Sequence, residues 1–521
     1  MLDNLAAHNA RVIAETKSSG DPALDQAAWQ KTEEEIELGC VYGPFEKLED
    51  IPADVARLAK RFPIWEQHGG AVEPTARVID DLLDGGQNST TGMQYTHRPC
   101  DLDTWSSHCR ATQERFPEDQ IQGFTSDYSK AFKQGTSDPQ QAKWVVLAQW
   151  HPHLQKVVFL LTVTQLFGGK AAPLNFARCP DWSSMTMAVL FAVAFSQCVD
   201  DLLCCERKAT VMSAWVSWRA LAQLCGWRIP DEKSPLPAIA HRALGAWTDF
   251  TKIPSEPIQL GIVEDRCEQL SGLLIGIKLS RQLLPGFAGQ MWGKLGFSVT
   301  QRFGKFGLAK LRPFMRRQHE RGRVGLNTQL LSAINWWLDA LQHQVPREVP
   351  FRMLDRPRVV SYSDGEGSYA GIGIALWSSR RQRPLAGYIQ APPELRRLWS
   401  RQQRHALQSD VDIFEIEAAG PALILSNWGE DLREALWIHF IDNSAGQGAL
   451  VRGSSSVHEA DLLVGYTWQL ISEVKALPWF DRVESSANPV DGLSRGRFEG
   501  DWQLVPISWP QELFDILESE G

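Results

Sequence analysis

The residues best equipped for chemistry in this chain are carboxylates set in apolar surroundings. Asp200 and Asp201 stand together in AVLFAVAFSQCVDDLLCCE, between an aliphatic run and Leu202-Leu203. Two like charges side by side are costly to bury unless a cation or an arginine compensates them. A pair of aspartates between two strands is also ordinary hairpin punctuation, and the two readings are compatible, because a tight turn projects both carboxylates to one place. Upstream, Asp127 follows the strand-like IQGFTS, and Phe132 lies five residues later in DYSKAF. Carboxylates from different strands can hold a pair of Mg²⁺ ions, one activating an attacking hydroxyl and the other neutralising a leaving phosphate. Nucleotidyl transfer needs that arrangement, since its chemistry is mostly positioning and charge compensation. Four more carboxylates lie in the second half: Asp364 in YSDGEGSYAGIGIAL, Glu417 in FEIEAAGPALIL, Asp442 closing IHFID and Asp491 in NPVDGLSR. Each alone reads as a cap or turn residue. Brought together from separate elements, they would again suit two Mg²⁺ ions, now activating water against a phosphodiester.

Elements must position these groups. Residues 1–35 are polar, Ala-rich and acidic toward their end, and read as a helix leading into the body. From 39 to about 235 the chain mixes short strands, turns and helices, and from about 254 to 345 it reads as largely helical. Residues 302–323 carry eight Lys/Arg against one acid, Glu320, a run that suits either a nucleic-acid backbone or a solvated helix face. A second Arg-rich piece spans 380–404. VVSYSD, YAGIGIALW and LAGYIQA read as three strands, FEIEAAGPALILSNW as a helix, ALWIHFID as a strand and HEADLLVGYTWQLISEVKAL as a long helix, before a last extended piece ending NPVDGLSR. Glu415 lies two residues before Glu417, about 200° around a helix, so only one of them can face a common site.

Composition bounds the rest. At 521 residues, about three to four domain-sized units are expected. Hydrophobic residues at 43% and charged residues at 22% are globular proportions. The formal net charge of −9 excludes a histone-like or polybasic protein but allows a basic groove on an acidic whole. The 9 Cys show no metal-binding spacing, so a zinc site is not expected. The N-terminus lacks a basic-then-apolar signal, and the longest apolar run, residues 185–195, is about half a membrane span. A reduced, soluble, intracellular protein with mostly structural cysteines is the expectation.

Asp127 in DYSKAF, then FGGKAAPLNF, CVDDLL and GWRIPDEKS, resemble in order and rough spacing the palm of retroelement reverse transcriptases, and in flavour the DIRS-like group. The resemblance implies that Asp127 and Asp200 are the main metal ligands, with Asp201 beside them. It implies that Phe132 excludes a ribose 2′-hydroxyl, the plain reading being a core aromatic. Gly168 and Pro173 match the small-residue loop near the templating base pair, with Phe167 and Phe176 packing around it. Lys233 matches a lysine near the triphosphate, or is a solvated loop residue. RVIDDLLDGGQNS resembles the fingers segment, in which Arg77, followed by Asp81, would hold phosphate through its planar guanidinium. Two departures stand out: Cys198 occupies the place of the family's usual Tyr before VDD, and the segment around Leu260-Gly261 matches the primer-holding hairpin poorly.

Asp364, Glu417, Asp442 and Asp491, in the order strand, helix, strand, late loop, with IDNSAGQGAL and NPVDGLSR, resemble a retroelement ribonuclease H domain over residues 357–495; the family spacing favours Glu417 over Glu415. The resemblance as a whole implies an α+β chain: an N-terminal helical extension (1–38), right-hand fingers and palm (39–254), a helical thumb-like connection (255–350), a ribonuclease H-like α/β domain with a mixed five-stranded sheet (357–495) and a tail (496–521). It implies an RNA-directed DNA polymerase coupled to cleavage of the RNA strand of hybrids. Two Mg²⁺ ions would serve each active site, with Mn²⁺ as a substitute. The partners would be an RNA template, a DNA primer, an RNA–DNA hybrid and deoxynucleoside triphosphates, with no membrane, and the compartment cytoplasm or nucleus. The alternatives are a decayed or domesticated copy that binds nucleic acid without catalysis, and a ribonuclease H-type nuclease with an inert palm. No D-[TS]-G triplet, zinc knuckle or integrase-like segment is recognisable.

Overall fold

A computed structural model describes residues 4–52, 54–66, 74–93, 95, 100–400 and 413–520. The chain divides into two compact units, Met1–Ile258 and Gln259–Gly521. No described helix is long and apolar enough to cross a membrane.

The first unit opens with two helices rather than one, Leu5–Glu15 and Pro22–Glu37. Gly20 and Pro22 separate them, and Asp21 caps the second by accepting from Ala23 N and Leu24 N. A five-stranded sheet follows, in the order Val41–Phe45, Lys156–Thr162, Val146–His151, Leu58–Glu66, Thr75–Asp81. It is antiparallel except for the parallel pairing of Leu58–Glu66 with Val146–His151. A second, three-stranded antiparallel sheet runs Ile121–Asp127, Asp201–Arg207, Ser196–Cys198. Its apolar positions Phe124, Leu202 and Cys204 are buried with Phe176 of helix Ala172–Phe191 and Trp218 of helix Val211–Leu224. Trp218 Nε1 also donates to Ser126 Oγ at 2.9 Å, which locks helix to strand one residue before Asp127.

The second unit begins with helices Glu264–Ser280, Pro285–Val299, Arg312–His319 and Thr328–Gln342 around Leu274, Met291, Phe314, Ile334 and Trp337. The basic run of residues 302–323 does not form one face. Arg302 is buried, its guanidinium 5.1 Å from the Phe306 ring centroid and 5.4 Å from that of Trp336, and Arg317 is buried donating to the carbonyls of Leu283 and Gly325. Arg321 and Arg323 are exposed. Of the Arg-rich piece at 380–404, residues 401–404 lie outside the described residues.

A mixed sheet completes the unit, in the order Leu477–Arg482, Leu436–Ile441, Arg358–Glu366, Gly371–Ser378, Leu385–Gln390, Gln503–Leu504. Five of its strands lie within residues 357–495, and a sixth is added from beyond them. The sixth is two residues of the C-terminal tail, pairing Leu385 with Gln503 and Ala386 with Leu504. Leu513 and Leu517, on helix Gln511–Glu520, are buried in the same core. The expected last extended piece is extended only over Leu477–Arg482; NPVDGLSR instead forms a helical turn, Asp491–Ser494. The Ser494 N–H, donating to the Val490 carbonyl at 3.0 Å, helps close that turn.

The strand Gly371–Ser378 shows why the sheet carries two different layers. Ile372, Ile374 and Leu376 point to the face packed by helices Ile413–Leu432 and His458–Val474. Gly371, Gly373 and Ala375 alternate onto the other face, beneath Val490 and Leu493. A Cβ on Gly373 would lie 2.7 Å from Ser494 N and 3.0 Å from Val490 O, both backbone atoms that cannot swing away. Gly373→Ala is therefore expected to lower the stability of the full chain by about 1–3 kcal/mol, the usual cost of overpacking. A denaturant midpoint within error of wild type would show that the turn carrying Asp491 is not seated on this glycine.

Candidate active sites

In the first unit, Ser196–Cys198 turns through Val199 and Asp200 into Asp201–Arg207, with Cys198 opposite Asp201. On the other side of that strand Asp127 stands opposite Asp201. Three carboxylates thus lie at one end of one sheet, although their oxygens do not converge as a trio within 4.8 Å. Val199 has φ +55°, which a β-branched residue rarely adopts and which costs on the order of 1–3 kcal/mol. Asp127 Oδ2 accepts from Lys233 Nζ at 2.5 Å, while Asp127 Oδ1 is buried without a hydrogen-bond partner. Lys233 reaches it from the turn Asp231–Lys233. Burial and then Asp127 push the Asp200 carboxyl above its ordinary value, with Lys233 opposing. Asp201 is pushed up to about 6 by burial, Asp200 and Asp127, again against Lys233.

The other residues singled out in this unit surround the sheet. Phe132 is 7% exposed, its ring 4.6 Å from Phe167 and 5.5 Å from Phe176. Gly168 has φ +88°, and its carbonyl accepts from Asn88 Nδ2 at 2.8 Å. Pro173 lies in the first turn of helix Ala172–Phe191, where its missing N–H costs nothing. Arg77 is exposed on Thr75–Asp81 and pairs with Glu66 at 2.8 Å. It lines a cavity of about 330 Å³ with Arg61, Lys130, Lys133, Phe167 and Gly168. Sequence reasoning missed the charges in this wall. Arg61 is held by Asp80 at 2.7 Å and by Glu35 at 2.9 Å, Lys133 pairs with Glu35, and Lys130 with Glu34 at 3.0 Å. The available signal was the pair of lysines flanking Phe132 in DYSKAFK.

In the second unit, Asp364 lies on Arg358–Glu366, Glu417 on helix Ile413–Leu432, and Asp442 directly follows Leu436–Ile441. Strands Arg358–Glu366 and Leu436–Ile441 are parallel neighbours, so both chain ends emerge on one edge. One oxygen from each of Asp364, Glu417 and Asp442 lies within 4.8 Å of the others, and among the described residues this is the group of three or more potential ligands so converged. Glu415, buried on the same helix, is not in it. Asp491 is not in it either; it pairs with Arg495 at 2.7 Å and Arg497 at 3.7 Å. Burial, then Asp442 and Asp364, push Glu417 up to about 9, and its Oε2 is buried without a hydrogen-bond partner. Burial pushes Asp364 up to about 6, with a Ser494 hydrogen bond opposing it and Asp442 and Asp491 adding to it.

Asp364 is fixed by groups that sequence reasoning did not assign. The Ser494 hydroxyl donates to Oδ2. Asn488 Nδ2 donates to the Ser363 carbonyl at 3.0 Å and reaches Asp364 Oδ1 at 3.4 Å. The Ser485 hydroxyl donates to Asp442 Oδ2 at 2.8 Å. Beneath the sheet, fully buried His439 meets Ser361 Oγ at 2.8 Å and Ser363 Oγ at 3.1 Å, and Trp437 Nε1 donates to Ser361 Oγ at 2.7 Å. Burial lowers the imidazole to about 3, so the ring is neutral and offers one donor and one acceptor to the two hydroxyls. Asn488 and Ser494 both lie in the motif around Asp491, which was the available signal.

No family model and no curated protein matches this sequence. Among solved structures, the fold is reverse-transcriptase-like. One similar structure is described as a foamy viral protease-reverse transcriptase dRH in complex with double-stranded DNA. Its TM-score is 0.50 at 12% identity, over 88% of this chain and 70% of that one. Another is a foamy viral protease-reverse transcriptase in complex with RNA/DNA hybrid. Its TM-score is 0.50 at 13% identity, over 89% of this chain and 54% of that one. At such identities the likeness is one of fold.

The raised carboxyls make a pH prediction. Glu417 and Asp364 hold protons in the folded chain that the unfolded chain has lost, so their contribution to stability is complete below the unfolded values and falls as pH rises through about 6 and then about 9. In chelator, the melting temperature is expected to fall between pH 5 and 9, and Glu417→Gln to flatten that fall. Added Mg²⁺ or Mn²⁺ is expected to raise the melting temperature most at the alkaline end. A wild-type melting curve that does not respond to pH or divalent cation would refute the repulsive cluster.

Proposed function

We propose that this chain is a retroelement RNA-directed DNA polymerase, DIRS-like in its motifs, joined to a ribonuclease H-type nuclease. The observation that carries the reading is the placement of Asp127, Asp200 and Asp201 at one end of one sheet within a reverse-transcriptase-like fold. The converged Asp364, Glu417 and Asp442 support the second activity. Fingers and palm would occupy 39–254, the thumb-like connection 255–350 and the nuclease 357–495, with the protein acting inside the cell, in cytoplasm or nucleus.

Both carboxylate sets fit a hard divalent cation, because they offer oxygen alone and each includes a buried oxygen that no hydrogen bond satisfies. Asp127 and Asp200, with Asp201, would hold Mg²⁺ in the polymerase; Asp364, Glu417, Asp442 and Asp491 would hold it in the nuclease. When bound, the metal lowers the pKa of a hydroxyl or water and neutralises phosphate charge. The chain's own residues do the rest. Lys233, now paired with Asp127, would exchange that carboxylate for phosphate oxygens of the incoming deoxynucleotide. Arg77 would hold phosphate from the fingers, Gly168 and Pro173 would let the backbone approach the templating pair, and Phe132 would close the space of a 2′-hydroxyl. Asn488 and Ser494 keep Asp364 aimed at its partners. RNA template, DNA primer and hybrid are the partners this reading requires.

Primer extension and hybrid cleavage, measured on one preparation, test it. Asp200→Asn is expected to lower extension by at least about 10²–10³-fold, the scale of losing one preorganised electrostatic group; a wild-type rate would remove the palm assignment. Asp442→Asn is expected to abolish cleavage of RNA in a hybrid and leave extension intact, and Glu417→Gln to lose cleavage where Glu415→Gln keeps it. Phe132→Ala is expected to admit ribonucleotides, and unchanged sugar discrimination would leave Phe132 a core residue. Absence of both activities in the wild-type chain would favour the non-catalytic binding protein.

A further inference from the structure

The polymerase-type hairpin is bordered by cysteines that the proposed chemistry does not use. Cys198 is the last residue of its strand before the Val199–Asp200 turn. Beside it, Cys100 N donates to the Gln197 carbonyl at 3.2 Å. Cys100 is held on its other side too, because Asp101 caps helix Leu102–Arg115 by accepting from Thr104 N at 2.8 Å. The thiols of Cys100 and Cys198 interact directly. That backbone bond sets Cys100 beside the peptide that joins Gln197 to Cys198, and a disulfide requires the two Cα atoms at roughly 4.4–6.8 Å. Both cysteines are free and part-exposed.

A second pair, Cys109 and Cys205, bridges the same helix to the same hairpin further inside. Those two are 0% and 4% exposed, so an aqueous oxidant reaches only the outer pair. The seam between the pairs is fixed by His108 Nδ1 against Ser196 Oγ at 2.9 Å. Helix and hairpin are therefore held side by side at this seam.

We propose that Cys100 and Cys198 form a peroxide-oxidisable dithiol that pins the catalytic hairpin and switches primer extension off. One thiol takes an oxygen from the peroxide, becoming a sulfenic acid and releasing one water. The second sulfur displaces that hydroxyl as another water. The net change is two thiols and one hydrogen peroxide to one disulfide and two waters. The cross-link joins the start of helix Leu102–Arg115 to the residue preceding the strained Val199, two residues from Asp200. It draws the Cys198 side chain toward the helix and removes the play that the turn needs to seat its carboxylates. A dithiol reductant reverses it. The effect on extension rests on the polymerase reading above; formation of the disulfide does not.

The test treats the full chain with hydrogen peroxide, blocks remaining thiols, and maps cross-linked peptides by mass spectrometry alongside both activities. The expected result is a peptide linking Cys100 to Cys198 and at least about a tenfold loss of primer extension, in the range that a small misplacement of reacting groups costs. Dithiothreitol restores extension, and hybrid cleavage changes little. Cys100→Ser is expected to extend primers at the untreated rate and to keep doing so in peroxide, whereas Cys109→Ser stays peroxide-sensitive. Absence of the linked peptide, or a Cys100→Ser chain that loses extension in peroxide like wild type, overturns the proposal. A linked peptide with extension unchanged overturns the switch. A chain that never extends a primer counts against the polymerase reading, while the linked peptide still decides whether the dithiol exists.

Discussion

Carboxylates crowded together and shielded from water repel one another, and the second unit is organised around tolerating that repulsion at Asp364, Glu417 and Asp442. Glu417 bears the largest part, its carboxyl pushed up to about 9. Water would relieve the strain by solvating the charges, but helix Ile413–Leu432 is buried along the stretch that carries Glu417. The cost is met elsewhere. Ile372, Ile374 and Leu376 anchor one sheet face, and the Trp437–Ser361–His439–Ser363 network ties two parallel strands together so that Asp364 and Asp442 cannot drift apart. A neutral histidine suits this place, because a charged one would need the solvent that burial denies it.

The same constraint explains the small residues. Gly420 sits where a Cβ would lie 2.4 Å from Ser363 Cβ, so the helix carrying Glu417 approaches the strand carrying Asp364 as closely as backbone permits. Gly373 lets the Asp491–Ser494 turn settle on the opposite face, and that turn delivers the Ser494 hydroxyl to Asp364. Two glycines on different elements thus set the distances among groups that would otherwise separate.

What the sequence made legible followed from periodicity and spacing. IQGFTS, VVSYSD and ALWIHFID alternate or run apolar as strands do; Asp127 ends its strand and Asp442 follows its own, whereas the strand of Asp364 runs on to Glu366. The helical offset between Glu415 and Glu417 allowed only one into a cluster, and Glu417 is the one in it. What stayed hidden depends on contacts rather than on pattern. The strand Gln503–Leu504 is recruited by backbone pairing, which no side-chain period announces. NPVDGLSR looked extended because proline and glycine suppress helical pattern, yet local hydrogen bonds wind it into a turn. Glu34 and Lys130 meet across 96 positions of sequence, and no spacing rule connects them.

The two kinds of buried charge in this chain separate structure from chemistry. Around Arg61, cations and anions balance: Asp80 and Glu35 answer Arg61 and Lys133. Burial alone would raise Glu35, but Arg61 and Lys133 outweigh it and hold the carboxyl below its ordinary value. Such a network satisfies itself and needs no ligand to be stable, though removing one member would strand the others. At Asp127, Asp200 and Asp201 a single lysine faces three carboxylates, and at Asp364 and Glu417 every shift that a neighbouring carboxylate causes is upward. Folding can place like charges this way only by drawing on stability gained in the surrounding core. A chain that does so twice, on two unrelated sheets, spends core stability on the two carboxylate sets to which the proposed metal-dependent activities are assigned.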